Sequence, residues 1–320
     1  MKRNKIGTLR LRIKNKICRI FDYINNEIKY FFLDCGFVRL VKRKKKLIGF
    51  YGECHMYIYG AALLKCRDLK KKYVLLGGKE IEYLARWYGK QINKKSAWNH
   101  LDILIYNTGV PERLGAPTLK DIMDWLPDNC QKIEVTNAAF KGYMPQHTER
   151  VFKNNGFFIW GDKNLNTIID TGDTENSHVD NYTVDYINGY FDKAIKHMKL
   201  YERKCTVQIA DYIEKYGRDR VLYYSVTHPE TEIMLEITRR ILECLGIKHN
   251  LNDSFLNNSQ FDLHSHGEVV YPSVFKALGI KGNPFERIIQ PGNYKDLQYT
   301  FEQYICEYVK MGKEATTGNK

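Results

Sequence analysis

The chain has 320 residues, 43% of them apolar and 13% aromatic, enough to bury a large core, which excludes a disordered chain. No run of about 18 uncharged apolar residues exists, so a spanning helix is excluded, and the Lys/Arg-studded N-terminus lacks the clean apolar core of a signal peptide. The formal charge of +13 points to nucleic acid only until it is mapped: residues 1–46 hold 15 Lys and Arg against 3 acids, which leaves +1 on the other 274 residues.

A cytoplasmic protein with a basic leader, a nearly neutral body and no nucleic-acid partner is therefore expected. In the leader, Ile6, Leu9, Ile13, Ile17, Ile20, Ile24, Ile28 and Phe31 recur at helical spacing and make one apolar stripe. Arg10, Arg12, Lys14, Lys16 and Arg19 lie largely off it. Such a helix, followed by Lys42-Arg43-Lys44-Lys45-Lys46, suits peripheral contact with an anionic membrane. It suits equally a stripe packed on the body or on a second copy in a homo-oligomer.

From Leu47 onward, short apolar runs alternate with helical segments. Leu47–Tyr51 reads as a buried strand, 55–69 as a helix and 73–76 as the next strand. Strands are predicted at 101–106, 133–136, 156–160 and 220–226, and helices at 119–125, 184–200, 206–216, 231–245 and 294–311. Apolar strands separated by helices predict a three-layer α/β sandwich with a parallel or mixed central sheet. Long loops are expected at 173–181 and 250–267. The domain reading is a leader over 1–46, a single α/β domain over 47–311 and a flexible tail over 312–320.

The strongest chemical signal is Gly52-Glu53-Cys54-His55, between the first strand and the first helix. The crevice beyond the strand ends is the usual ligand site of an open α/β sheet. A cysteine there faces the unpaired N–H groups of the helix, which favour thiolate and can hold an oxyanion or a phosphate. Gly52 allows close backbone approach, whereas Glu53 opposes thiolate unless it points away. The second signal is Ser225-Val226-Thr227-His228-Pro229, where His228 ends a strand before a helix and is placed to be a general base. Asn107 ends another strand and is a candidate oxyanion donor. Each has a plain alternative: a core thiol, a solvated helix-entry histidine and a turn residue.

The eight cysteines show no C-x-x-C spacing, which argues against a zinc ribbon, a redox centre or a dense disulfide framework. His264 and His266 form a His-x-His on a polar segment, but no second ligand pair accompanies them, and no metal is expected.

Taken together, the strand, Gly-x-Cys-x and helix; Lys141-Gly142-Tyr143-Met144-Pro145; Tyr201-Glu202-Arg203 before Asp211-Tyr212-Ile213; His228-Pro229; and Tyr271-Pro272-Ser273-Val274-Phe275 resemble the WcbI-type polysaccharide-biosynthesis acetyltransferases over about residues 47–280. The chain departs from that family's Gly-Asn-Cys-Gln at both neighbours of Cys54. The resemblance implies binding of coenzyme A or acetyl-CoA, transfer of acetyl groups to a capsular or other surface polysaccharide, and a sheet core like that of the SGNH hydrolases. It points to Cys54 and His228 as catalytic, and to Gly52, Glu53, His55, Asn107, Arg203 and Lys204 as coenzyme-binding. Arg203 and Lys204 suit phosphates, with Glu202 holding Arg203. His55 is expected on the surface of the first helical turn. The alternatives are an SGNH-like esterase acting on acylated glycans and a non-catalytic coenzyme- or glycan-binding protein.

Overall fold

The computed structural model describes residues 45–75, 98–108, 117–154, 157–172, 179–249, 251, 268–282 and 300–317. The leader helix expected over 6–31, the loop carrying His264 and His266, and most of the two long loops lie outside them. The chain divides into two compact units, residues 1–132 and 133–320.

In the first unit, β1 (Lys46–Tyr51), α1 (Cys54–Lys65), α2 (Arg67–Lys72), β2 (Tyr73–Leu75), β3 (Ile103–Tyr106) and α3 (Leu119–Trp125) follow in order, and β4 (Gln131–Glu134) spans the boundary. The sheet order is β2-β1-β3-β4. Both partners of β1 run parallel to it, with Ile48 opposite Leu75 on one side and Ile103 on the other. Leu47, Ile48 and Phe50 are all buried, as a central strand covered on two faces requires. Asp102 fixes the start of the β1–β3 pair, accepting from the Leu47 N–H at 2.8 Å and donating its own N–H to the Leu47 carbonyl. Leu47, Leu101, Leu104, Ile122 and Leu126 form the core beneath. The helix α3 occupies the predicted range and opens on a capping box of Thr118 and Asp121.

The predicted helix 55–69 is two helices, broken at an extended Cys66. Leu69 comes six residues after Leu63, about 120° round a continuous helix from it. The break brings both to full burial.

The second unit contains the hairpin β5 (His147–Asn154) and β6 (Phe157–Asp162), then α4 (Lys163–Thr171), α5 (Val184–Glu202), α6 (Ala210–Tyr216), the ribbon β7 (Tyr223–Ser225) and β8 (His228–Pro229), α7 (Thr231–Cys244), α8 (Pro272–Leu278) and α9 (Phe301–Thr317). Just past β4, Val135 bridges in parallel to Val207. That bridge shortens the helix predicted from 206, because residues 207–209 stay outside the helix and α6 begins at Ala210. Ile187, Phe191, Ile195 and Met198 form the buried stripe of α5, and Glu202 takes its next position. The Glu202 carboxylate is buried and accepts from the N–H groups of Ile209 and Ala210, each at 2.9 Å. It therefore caps α6, which corrects the expectation that it holds Arg203.

The second unit keeps one expected strand and departs from expectation at two elements. The strand expected at 156–160 is half of the β5–β6 hairpin, whose first strand is polar in sequence. Helix α4 was missed, although Asp162 caps it by accepting from Asn164 and Leu165 N–H. The strand expected at 220–226 is the short β7, paired antiparallel with β8 in a separate ribbon. Helix α9 runs on to Thr317, through residues expected as tail. Among the described residues, no helix is long and apolar enough to cross a membrane.

The Lys141–Pro145 block is structural. Phe140, Tyr143, Phe191 and Tyr223 form an aromatic cluster with ring centroids 5.4–6.5 Å apart. A Cβ on Gly142 would lie 2.3 Å from the Phe140 ring, so only glycine lets the chain pass. Tyr143 Oη donates to the carbonyls of Gly217 and Arg220 at 2.8 and 3.2 Å. The Asp211-Tyr212 pair is likewise committed, Asp211 to Arg240 and Tyr212 to Glu232.

Candidate active site

In the first unit, the β1–α1 junction is built around Asn107. Its N–H extends the β1–β3 ladder to the Tyr51 carbonyl at 3.1 Å, and its side chain is fully buried. Oδ1 accepts from the Glu53 N–H at 3.3 Å, which fixes the amide orientation and leaves Nδ2 as the second group. Nδ2 is buried with no acceptor among the described residues. A buried donor without a partner costs free energy unless a ligand or water satisfies it. The carboxamide fits because residue 52 is glycine: a Cβ there would lie 2.3 Å from Asn107 Oδ1 and 2.6 Å from Met56 Cγ.

Glu53 is the extended residue before α1, and its carbonyl accepts from the Met56 N–H at 2.9 Å. Cys54 is the first residue of the helix. His55 is 3% exposed, so it faces the interior and the surface placement expected for it is corrected. The direction of the chain explains this: the second helical residue shares the inward face with Met56 and Tyr59, both fully buried.

In the second unit, β7 and β8 turn sharply at Val226–Thr227, which brings Ser225 and His228 together. Ser225 Oγ lies 2.7 Å from His228 Nδ1, with Thr227 Oγ1 at 3.3 Å from the same nitrogen. Ser225 is fully buried and His228 nearly so. Ser225 Oγ and Thr227 Oγ1 both address Nδ1, so the imidazole is held through that nitrogen. His228 therefore belongs to a supported pair and is not a solvated helix-entry residue. Its partner Ser225 lies within the sequence block singled out above, but nothing in the residue order revealed the contact.

Two buried groups beside this ribbon escaped the sequence reading. His147 Nδ1 lies 3.0 Å from Glu268 Oε2, both side chains being under a tenth exposed. Asp162 accepts from Tyr271 Oη at 2.5 Å, and its N–H donates to Tyr308 Oη at 2.8 Å. Burial pushes the Asp162 carboxyl up to about 6, against the opposing hydrogen bonds from Tyr271 and the backbone.

Arg203 and Lys204 are exposed at the end of α5 and form no ion pair among the described residues. Arg203 lines a groove of about 430 Å³ with Phe191, Ile195, Lys196, Leu200 and Arg218. Ion pairs from Lys199 to Glu214 and from Arg218 to Asp192 cross between α5 and the α6 region. Among the described residues, no cluster of His, Cys, Asp and Glu could hold a metal.

Residues 75–250 match the family model described as polysaccharide biosynthesis enzyme WcbI. That range contains Asn107, Arg203, Lys204 and His228 and begins after Cys54. No curated protein matches the chain. Among solved structures, the chain is similar to one described as WcbI, a novel polysaccharide biosynthesis enzyme, in a native form without a disulfide bond between coenzyme A and one of its cysteines. The two share 16% identity at a TM-score of 0.55, over 86% of this chain and 91% of the other.

Proposed function

The chain belongs to the WcbI family of polysaccharide biosynthesis enzymes, and from that premise we propose that it transfers an acetyl group from acetyl-CoA to a hydroxyl of a capsular or other surface polysaccharide or its precursor. The observation that carries this reading is the buried Asn107 Nδ2, a fixed donor held beside the residues that lead into the Cys54 helix. A thioester carbonyl oxygen is an acceptor of the kind such a donor needs, and the bond strengthens as that oxygen gains charge in the tetrahedral intermediate. Coenzyme A in the similar solved structure supports the choice of donor.

The reaction needs one proton moved. His228 Nε2 takes the proton of the sugar hydroxyl while Ser225 Oγ accepts from Nδ1–H. In direct transfer, the sugar oxygen bonds to the acetyl carbon, the carbon–sulfur bond breaks and coenzyme A leaves as thiolate. In the covalent route, Cys54 thiolate makes that attack first, and the sugar oxygen then displaces its sulfur. Gly52, Glu53 and His55 shape the thioester end, and Arg203 and Lys204 hold coenzyme phosphates.

The test is acetyl-CoA consumption followed by mass spectrometry of candidate glycans, with thermal shift by coenzyme A alone. Thermal stabilisation and acceptor-dependent release of free coenzyme thiol are expected. Hydrolysis of acylated glycans with no response to coenzyme A would replace the transferase with an esterase. Neither response would leave a non-catalytic binding protein. Residues 1–46 are proposed to rest on anionic membrane, where such glycans are assembled. Salt-sensitive liposome binding should then vanish on deletion of residues 1–40, and its absence in the full chain would refute this.

A further inference from the structure

The turn that carries His228 is clamped at both backbone groups of one residue. The Val226 carbonyl accepts from the Phe140 N–H at 2.8 Å, and the Val226 N–H donates to Glu268 Oε1 at 3.4 Å. Glu268 also donates its own N–H to the Tyr224 carbonyl at 2.7 Å, so it grips β7 through backbone and side chain together. Its other carboxylate oxygen accepts from His147 Nδ1. Next to His147, Gln146 Nε2 donates to the Val269 carbonyl at 2.7 Å, tying the same two segments a second time. Glu268 is close enough to Asp162 on β6, Tyr190 on α5 and Tyr304 and Tyr308 on α9 that its charge opposes ionisation of all four.

A carboxylate buried to this extent is costly unless partnered, and an apolar pair would close the same gap without that cost. What the pair provides is direction: two lone-pair sites fix where the Val226 N–H lies, and the imidazole fixes where the carboxylate lies. We propose that Glu268 and His147 are positioning residues for His228, holding the Val226–Thr227 turn so that Ser225 Oγ meets His228 Nδ1. The proposal rests on the reading of His228 as the proton-transfer residue. Neither Glu268 nor His147 is assigned contact with substrate.

The experiment follows His228 by nitrogen NMR of histidine-labelled protein, its ring signals assigned by their loss in His228→Gln. The pH profile of acetyl transfer is the second readout. In Glu268→Gln the tautomer signature and titration midpoint of His228 are expected to move, with the pH profile moving alongside. The turnover number should fall by about 10- to 100-fold, as for a catalytic group displaced by a fraction of an ångström to an ångström, with KM for acetyl-CoA unchanged. His147→Asn keeps an N–H donor near the position of Nδ1 and should retain the wild-type signature, whereas His147→Leu should reproduce Glu268→Gln.

An unchanged His228 spectrum and pH profile in folded Glu268→Gln and His147→Leu overturns the proposal, because a merely structural pair would move only the melting temperature. If Glu268→Gln fails to fold, the two His147 variants decide the question. If the wild-type protein transfers no acetyl group, the proposed reaction fails, and the spectra still decide whether Glu268 and His147 position His228.

Discussion

Asn107 Oδ1 occupies the space that a side chain on Gly52 would need: a Cβ there would come within 2.3 Å of it. The carboxamide can bond the Glu53 N–H only because residue 52 has no side chain.

Gly52→Ala should therefore displace Asn107 and destabilise the protein by about 1–3 kcal/mol, the usual cost of forcing extra volume into a packed site. Chemical denaturation measures it. In an Asn107→Ala background the same substitution should cost much less, since the other close atom belongs to the flexible Met56 side chain. Equal costs in the two backgrounds would show that the carboxamide is not the obstacle.

Cys54→Ser and His228→Ala distinguish the routes of transfer. A serine at the start of α1 is far less ionised than a cysteine, so the covalent route predicts a severe loss of turnover in Cys54→Ser, and near-normal turnover identifies direct attack. His228→Ala should lower turnover by roughly 10²–10⁴-fold under either route, the range for a general base. Steady-state kinetics with acetyl-CoA and acceptor provides both readings, and a loss confined to coenzyme affinity would remove His228 from proton transfer.

Asp162 gives a stability profile of defined sign. Its carboxyl is raised from 3.8 to about 6 in the folded protein, so folding favours the protonated form. Its contribution is fully present below about pH 4 and is lost as pH rises through about 6. Urea midpoints of the wild type should consequently fall across that window relative to those of Asp162→Asn, which cannot ionise. Parallel curves from pH 4 to 7 would place the ionisation of Asp162 elsewhere.

Tyr143→Phe should cost about 1–3 kcal/mol, because the fully buried hydroxyl serves the carbonyls of Gly217 and Arg220 and its removal leaves both unsatisfied. Thermal unfolding checks it. Acetyl transfer at a temperature where the variant is folded should remain unchanged, since the Tyr143 hydroxyl bonds the carbonyls of Gly217 and Arg220, and neither residue is given a chemical role.

The parts of the fold legible in the sequence are those with strong periodicity. Leu47–Tyr51 announces itself as an apolar run, and Leu119–Trp125 has both a helical period and a Thr-x-x-Asp cap. Strand β5 was illegible because His147-Thr148-Glu149-Arg150 is polar and offers no apolar alternation. The apolar run Val221-Leu222-Tyr223 predicts a longer strand than the ribbon carrying His228 contains, where β7 is only Tyr223–Ser225. The sequence singles out Cys54 and Asn107 by their places after β1 and β3, and singles out His228 as the end of a strand, whereas His228 opens β8. Asn107 acquires its chemistry from Gly52, 55 positions away, and Glu268 meets His147 across 121. No local pattern encodes such contacts.

The parallel pairing of β1 with β3 also sets a timetable for synthesis. Ile48 must wait for Ile103, and at about 5–20 residues per second that interval is roughly 3–11 s. The ribbon from Tyr223 to Pro229, by contrast, closes within its own few residues, on the microsecond scale of a hairpin. During the wait Leu47, Ile48 and Phe50 stand on the ribosome as an apolar strand with one flank unpaired, the kind of segment that recruits other nascent chains. Five consecutive cations, Lys42 to Lys46, lead into it, and the last of them is the first residue of β1. Like charges on two emerging copies repel near the point where their β1 strands would meet, which opposes that pairing.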